Sequence, residues 1–167
     1  MKTRIIILLG LGIFSIGNLK GQDIGELNGI LNEIKAKVEQ QGTVKLKNGK
    51  KSGWVFEFKK CKCQYYKMQE LSSGTNYMQL DWDISFNLAD MEVAQYIEYD
   101  NHAVILRVEG EKDLVRTSQT KTYRDYTTSM EKFTENSVYI DVRNRAEIDA
   151  LVEDFNKAIG LCRANGQ

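Results

Sequence analysis

Hydrophobic residues near the C-terminus recur every three or four positions. Between Asn144 and Ala164 this spacing holds for Ile148, Leu151, Val152, Phe155, Ile159 and Cys162. Residues at these steps lie on one face of an α-helix. Asn144 and Glu147 have the spacing of a capping box, and Asn165-Gly166 offers residues that tolerate a left-handed turn. The pattern predicts a final helix over 144–164 whose apolar face needs a partner surface.

A second helical pattern precedes the central part of the chain. Its apolar positions are Ile24, Leu27, Ile30, Leu31, Ile34 and Val38. Asp23 is a suitable N-cap with Glu26 three residues later, and Gly42 is a suitable end. We therefore predict a first helix over 23–41.

Between these helices the hydrophobic period changes to two. Thr43–Lys47 alternates apolar and polar residues and runs into Asn48-Gly49, a strong hairpin signal. The next run, Trp54–Glu70, is too long for one flat strand. Its apolar residues switch from even to odd numbers after Phe58, which predicts a bulge or sharp bend near Lys59-Lys60.

The clearest strand covers Met78–Leu88, where apolar and polar residues alternate without a break. One of its faces is predicted to be buried and the other wet. Further strands are predicted at Val93–Tyr99, Ala103–Glu109, Leu114–Ser118, Lys121–Thr128 and Ser137–Val142. The segment between Thr117 and Glu135 is polar and poorly periodic, so its strands are the least well defined. The total is about seven strands over 43–142.

Consecutive strands with short turns indicate an antiparallel meander. We predict an α+β fold: an N-terminal helix, a curled meander of about seven strands, and a long C-terminal helix that covers it. An open antiparallel sheet covered by two helices is the alternative. Because no repeat, Gly/Ser linker or long charge run divides residues 22–167, we predict a single domain.

The order of elements resembles the pleckstrin-homology-like barrel, in which seven strands precede a helix that closes one end. The resemblance spans about 43–164. It depends on the strand ending FNLADMEV (Phe86–Val93) and the closing helix AEIDALVEDFNKAIGLC (Ala146–Cys162), and exported bacterial proteins with barrels of this kind look similar in both places. It implies a barrel closed by the last helix. It implies no activity, since folds of this kind carry many functions.

The first residues have the pattern of a signal peptide. Lys2 and Arg4 precede the apolar run Ile5–Ile16, which is shorter than the roughly 20 residues a membrane-spanning helix needs. With cleavage after Gly21, residues 1–21 are a leader and 22–167 are exported to the periplasm or medium. A buried N-terminal helix is the alternative.

Removal of the leader changes the charge balance. The whole chain has 23 Lys and Arg and 23 Asp and Glu, and the leader contains Lys2, Arg4 and Lys20 and no acid. The exported part therefore has 20 basic and 23 acidic residues, a net charge of −3. This acidity argues against nucleic acid as a partner.

Three cysteines are the first candidates for special chemistry. In an oxidising compartment we expect Cys162 to form a disulfide with Cys61 or Cys63, tying helix to strand. Three buried thiols, a Cys61–Cys63 bridge and intermolecular pairing are the alternatives. A zinc site with His102 would have the right atoms, but C-x-C is not the usual ligand spacing, and the C-x-x-C of redox enzymes is absent. We predict no metal and no cofactor.

Asp81 and Asp83 are the candidates for acid–base chemistry, because they share the wet face of the central strand. Paired carboxylates could serve a glycan hydrolase, but solvated acids on an outer sheet face are more common. No nucleophile motif or phosphate-binding loop occurs in the sequence. We therefore predict no catalytic residues and a non-catalytic binding or scaffold domain for an unidentified protein or a small apolar ligand.

Two other functions are alternatives to this prediction. The first is the glycan hydrolase that would use Asp81 and Asp83. The second is a membrane-surface module, whose basic cluster would be Lys45, Lys47, Lys50 and Lys51. The net acidity of the exported part argues against the second function.

Overall fold

A computed structural model of the chain describes residues 16–41, 54–73, 76–99, 103–142 and 145–165. In chain order the elements are α1 (Ile16–Gln41), β1 (Val55–Lys59), β2 (Lys62–Ser73), β3 (Asn76–Asn87), β4 (Val93–Tyr99), β5 (Ala103–Glu109), β6 (Val115–Tyr123), β7 (Thr128–Glu135), β8 (Ser137–Val142) and α2 (Ile148–Ala164). Short 3-10 turns cover Leu88–Asp90 and Arg145–Glu147. The α+β class, the antiparallel pairing and the C-terminal helix are confirmed. The described residues contain eight strands rather than about seven, and they do not form a simple meander, because β3 pairs with β6 and β5 with β8.

The strands form two antiparallel sheets. The five-stranded sheet has the order β1-β2-β3-β6-β7, and the three-stranded sheet has the order β4-β5-β8. Three chain segments pass from one sheet to the other: β3 leads to β4, β5 to β6, and β7 to β8. Each of these segments joins two strands that do not pair with each other, since β3 pairs with β6 and β5 with β8.

Two backbone hydrogen bonds extend the pairing at the end of β5. The Glu92 N–H donates to the Glu109 carbonyl at 2.7 Å, and the Gly110 N–H donates to the Asn136 carbonyl at 2.8 Å. Gly110 is needed here because a Cβ at this position would lie 2.6 Å from the carbonyl oxygen of Asp90. The missing side chain therefore allows the residue after β5 to approach the Leu88–Asp90 turn closely.

The described strands do not close into a barrel, because β1 and β7 are the outer strands of the five-stranded sheet and no ladder joins them. The described residues therefore agree better with the predicted alternative, an open antiparallel sheet covered by two helices, than with a closed barrel. The predicted strand Thr43–Lys47 and the hairpin at Asn48-Gly49 lie outside the described residues.

A two-residue hairpin turn separates β1 from β2, so the bulge or bend predicted near Lys59-Lys60 is wrong. Lys59 pairs with Lys62 and Phe56 with Tyr65, and Lys60 adopts a left-handed φ of 55°. Each pair across this hairpin joins an even-numbered residue to an odd-numbered one, and paired residues share a face. The buried residues are therefore even-numbered in β1 and odd-numbered in β2. The Lys60-Cys61 turn has no Gly, Asn or Asp to signal it.

The strand predicted at Lys121–Thr128 is also wrong. Strand β6 continues to Tyr123, a turn follows, and β7 occupies Thr128–Glu135. Every residue of β7 except half-buried Glu135 is exposed. Because neither face of β7 is buried, its sequence has no apolar alternation by which to recognise it.

Both helices differ from prediction at their ends. Helix α1 begins at Ile16, inside the predicted leader, so Asp23 is an internal residue rather than its N-cap. Helix α2 follows a 3-10 turn, and Glu147 at its N-cap makes no side-chain capping bond. Asn165 has a right-handed φ of −87°, so it does not form the predicted left-handed turn. Asn144 and Gly166 lie outside the described residues.

One hydrophobic core joins the helices to the sheets. The predicted apolar faces are buried, except that Ile24 is 43% exposed and Val152 is half-buried. Phe56 of β1 lies at the centre, with its ring 6.0 Å from that of Phe155 and 6.4 Å from that of Phe86. The helices are also joined by ion pairs from Lys37 to Asp154 and from Lys157 to Glu26.

Helix side chains protect two outer strands. On β1, Lys35 Nζ donates to the carbonyl of Phe56 at 2.8 Å, and the Phe56 N–H donates to Glu39 Oε1 at 3.2 Å. On β4, Asn156 both accepts from and donates to the backbone of Ala94. These bonds satisfy strand-edge groups that could otherwise pair with another chain.

Candidate functional site

The outer face of the five-stranded sheet is polar because the odd-numbered residues of β3 point away from the helices. Leu80, Ile84 and Phe86 are buried, whereas Asp83 and Ser85 are exposed. Antiparallel partners share a face, so the register extends this polar surface across β2, β6 and β7. One row contains Gln64, Ser85, Arg116 and Thr134, and the next contains Tyr66, Asp83, Ser118 and Lys132.

Side-chain hydrogen bonds hold one end of this face in place. The Tyr66 hydroxyl donates to Asp81 Oδ1 at 2.8 Å, and Gln79 Nε2 donates to Asp81 Oδ2 at 2.9 Å. Burial raises the pKa of Tyr66 to about 12, and the hydrogen bond to Asp81 adds to the rise. Tyr66 therefore stays a neutral donor to the Asp81 carboxylate at physiological pH.

A hollow of about 570 Å³ lies beside this network. We call it the outer-sheet groove, and its lining residues are Gln64, Asp83, Ser85, Arg116, Thr117, Ser118, Lys132, Phe133 and Thr134. Its volume lies within the roughly 300–1,000 Å³ typical of ligand sites. It crosses β2, β3, β6 and β7, a distance of three strand spacings of about 4.8 Å each, or about 14 Å.

Charges in the outer-sheet groove are unevenly matched. Gln64 Nε2 donates to Asp83 Oδ1 at 2.8 Å. Arg116 and Lys132 are exposed, and neither forms an ion pair within the described part of the chain. The groove therefore contains two cations and one carboxylate, a local excess of one positive charge.

Asp81 and Asp83 share the outer face, as their spacing predicts, but they belong to different groups. Asp81 is half-buried and accepts from Tyr66 and Gln79, while Asp83 is exposed and accepts from Gln64. A glycan hydrolase uses two carboxyl groups that act together on one glycosidic bond, whereas these two acids belong to separate hydrogen-bonded groups.

The cysteines lie on the other side of the sheet, in the core. Cys61 and Cys162 form a disulfide with Cα atoms 5.8 Å apart, which joins the β1–β2 turn to α2. Cys63 is a buried free thiol, and desolvation raises its pKa to about 12. Such a thiol is a poor nucleophile, so Cys63 is a core residue. The Cys61–Cys162 bridge is a structural element that joins the hairpin turn to the final helix.

Other candidates from the sequence are not brought into the groove. His102 and the basic cluster Lys45, Lys47, Lys50 and Lys51 lie outside the described residues. Within the described ranges, no three His, Cys, Asp or Glu side chains come together as metal ligands. In those same ranges, no helix is long and apolar enough to cross a membrane.

Arg116 and Lys132 were not singled out by the sequence. Both lie in the polar segment between Val115 and Glu135, where the strand pattern is weakest. Their proximity depends on the β6–β7 register, and no motif in the sequence specifies that register. Comparisons of the chain with protein-family models, with characterised proteins and with solved structures found no match.

Proposed function

We propose that this protein is an exported, non-catalytic binding domain that holds its ligand in the outer-sheet groove. The supporting observation is a hollow of about 570 Å³ whose lining residues lie on paired strands rather than on loops. Side chains on paired strands are held in fixed relative positions, which lowers the ordering cost of binding. The charged residues Asp83, Arg116 and Lys132 in the lining favour a hydrophilic ligand over the small apolar one expected from the sequence.

Export is supported by two independent features. The N-terminal residues have the charge and apolar run of a signal peptide. The Cys61–Cys162 disulfide is compatible with an oxidising compartment. In this proposal residues 1–21 are removed, and residues 22–167 act in the periplasm or outside the cell.

Membership of the pleckstrin-homology-like barrels remains a hypothesis. A series of antiparallel strands followed by a long C-terminal helix supports it. The unjoined outer strands β1 and β7 of the described sheet do not. The proposed binding role does not depend on this relationship, because it follows from the groove.

An amide-resolved titration would test the binding proposal. The ¹⁵N-labelled exported chain (22–167) would be titrated with defined amino acids, dipeptides, phosphate esters, neutral and acidic oligosaccharides, and anionic vesicles. We expect at least one of these to shift the amides of Asp83, Ser118 and Lys132. Ser118→Trp should abolish the shifts by filling the groove. Thr122→Trp, on the same strand and face but outside the groove lining, should preserve them.

Two results would contradict the proposal. Shifts confined to another surface, including a response to vesicles alone, would place the binding site elsewhere. Turnover of an oligosaccharide by the wild type, abolished in Asp81→Asn or Asp83→Asn, would instead show the carboxylate hydrolase.

A further inference from the structure

Arg116 and Lys132 are neighbours in the outer-sheet groove. Arg116 pairs with Thr134 and Lys132 with Ser118 across β6 and β7. The two cations are therefore diagonal cross-strand neighbours, whose Cβ atoms are about 7–8 Å apart. At this separation both side chains can reach one anionic group placed between them.

Two cations on other parts of the sheets, Lys121 of β6 and Arg107 of β5, have acidic partners. Lys121 Nζ lies 3.2 Å from Glu131 Oε1, and Arg107 Nη2 lies 2.8 Å from Glu109 Oε1. Arg116 has the carboxylate of Asp83 as a diagonal neighbour, yet Asp83 accepts from Gln64, and no ion pair joins it to Arg116 in the described residues. Two adjacent like charges with no counter-ion repel each other, and an anionic ligand would relieve that repulsion.

The rest of the groove presents hydroxyl and amide groups together with Phe133. Ser85, Ser118 and Thr134 have hydroxyls that can both donate and accept. Gln64 uses its amide nitrogen for Asp83, which leaves the Gln64 carbonyl and the second Asp83 oxygen as acceptors. Acceptors at the β2–β3 end and cations at the β6–β7 end match a ligand that has hydroxyl donors at one end and an acid at the other.

We propose that the outer-sheet groove binds an acidic saccharide. The acidic group, a carboxylate or a sulfate ester, lies between Arg116 and Lys132, and sugar hydroxyls donate to Asp83 and Gln64. Arg116 recognises the planar or tetrahedral oxyanion through paired N–H donors, while Lys132 acts as a point charge. A groove about 14 Å long accommodates a short oligosaccharide lying across the strands. This inference rests on the proposed binding function and specifies its ligand.

Calorimetric titration of the exported chain would test this inference. The probes are trigalacturonate, a sulfated trisaccharide, and maltotriose as the neutral match. We expect an acidic probe to bind and maltotriose not to bind. Arg116→Gln and Lys132→Gln should each weaken binding about tenfold, the loss of one charge-assisted contact. Added salt should weaken binding further.

Three variants make the result specific. Lys112→Gln removes an exposed lysine from the 111–113 bend outside the groove and should leave the affinity unchanged. Arg116→Lys keeps the charge but loses the paired donors, so its affinity should lie between those of wild type and Arg116→Gln. Asp83→Asn should weaken binding of the saccharide without affecting binding of free acetate or sulfate.

The outcomes distinguish a wrong ligand from a wrong binding site. Equal binding of maltotriose, or unchanged affinity in both cation variants, would overturn the acidic-saccharide inference. Failure of all three saccharides would do the same, even if free sulfate shifts the Lys132 amide. If a dipeptide or phosphate ester then binds in a Ser118→Trp-sensitive manner, the proposed binding function stands with a different ligand.

Discussion

The side-chain amide of Asn156 on α2 forms two hydrogen bonds with the backbone of Ala94 on β4. The Ala94 N–H donates to Asn156 Oδ1 at 2.8 Å, and Asn156 Nδ2 donates to the Ala94 carbonyl at 2.9 Å. Asn156 thus satisfies both backbone groups of an outer-strand residue, as a neighbouring strand would. This pair fixes the position of the final helix against the three-stranded sheet.

Asn156→Ala should lower the free energy of unfolding by about 1–3 kcal/mol, because it leaves both backbone groups of Ala94 without these bonds. Asn156→Asp should not rescue stability, since a carboxylate can accept from the N–H but cannot donate to the carbonyl. Glu153→Ala, an exposed change on the same helix, should fall within about 0.5 kcal/mol of wild type. Urea denaturation measures all three, and a stable Asn156→Asp would contradict the two-bond arrangement.

Gly110→Ala should destabilise the fold by about 1–3 kcal/mol, because the added Cβ would meet the Asp90 carbonyl oxygen at 2.6 Å. The matched change Gly160→Ala should stabilise α2 by about 0.5–1 kcal/mol, since no atom lies within 4 Å of its new Cβ. Thermal denaturation of both variants compares them directly. The two variants should change the melting temperature in opposite directions. An unchanged melting temperature in Gly110→Ala would show that the Asp90 carbonyl can move away from the added Cβ.

The disulfide should contribute strongly to stability. Cys61 and Cys162 are 101 residues apart, and chain-entropy estimates for a loop of this size give roughly 4–5 kcal/mol as an upper value. The double change Cys61→Ser and Cys162→Ser should therefore lower the denaturation midpoint far more than Cys63→Ala. Peptide mapping of non-reduced protein should find the Cys61–Cys162 link. A Cys63–Cys162 link would contradict the observed pairing.

Alkaline pH should destabilise the protein through Cys63. Burial raises the pKa of Cys63 from 9.0 to about 12, so the unfolded chain loses this proton first. The contribution is fully present below pH 9 and is lost as the pH rises towards 12. By pH 9.5 the loss should be about 1 kcal/mol relative to neutral pH.

Cys63→Ala should remove that part of the pH dependence. The comparison is made by urea denaturation at pH 7.5 and 9.5, with the disulfide pairing checked by mass spectrometry after each titration. Tyr66 ionises in both proteins, so its contribution cancels in the comparison. Identical pH profiles for wild type and Cys63→Ala would contradict the raised pKa of the thiol.

The sequence by itself determined the elements that bury one clear face. The i, i+3, i+4 pattern of Leu27, Leu31 and Ile34 predicted a helix, and the alternation of β3 predicted which of its faces is wet. These predictions succeed because the period of a buried face is a local property of each element. The pairing of Cys162 with Cys61 or Cys63 likewise followed from short stretches of the sequence, together with the expected packing of the final helix. The export signal stays a prediction.

Tertiary structure alone decided the register and the groove. Strand β7 is exposed on both faces, so no periodicity marks it, and only its pairing with β6 brings Lys132 beside Arg116. The turn at Lys60 needs a residue in the left-handed conformation, and no Gly, Asn or Asp in the sequence marks that position. The choice of Cys61 over Cys63 depended on that turn, which directs the Cys61 side chain to α2. Contacts between residues far apart in sequence are set by the packing of whole elements, and a local pattern cannot encode them.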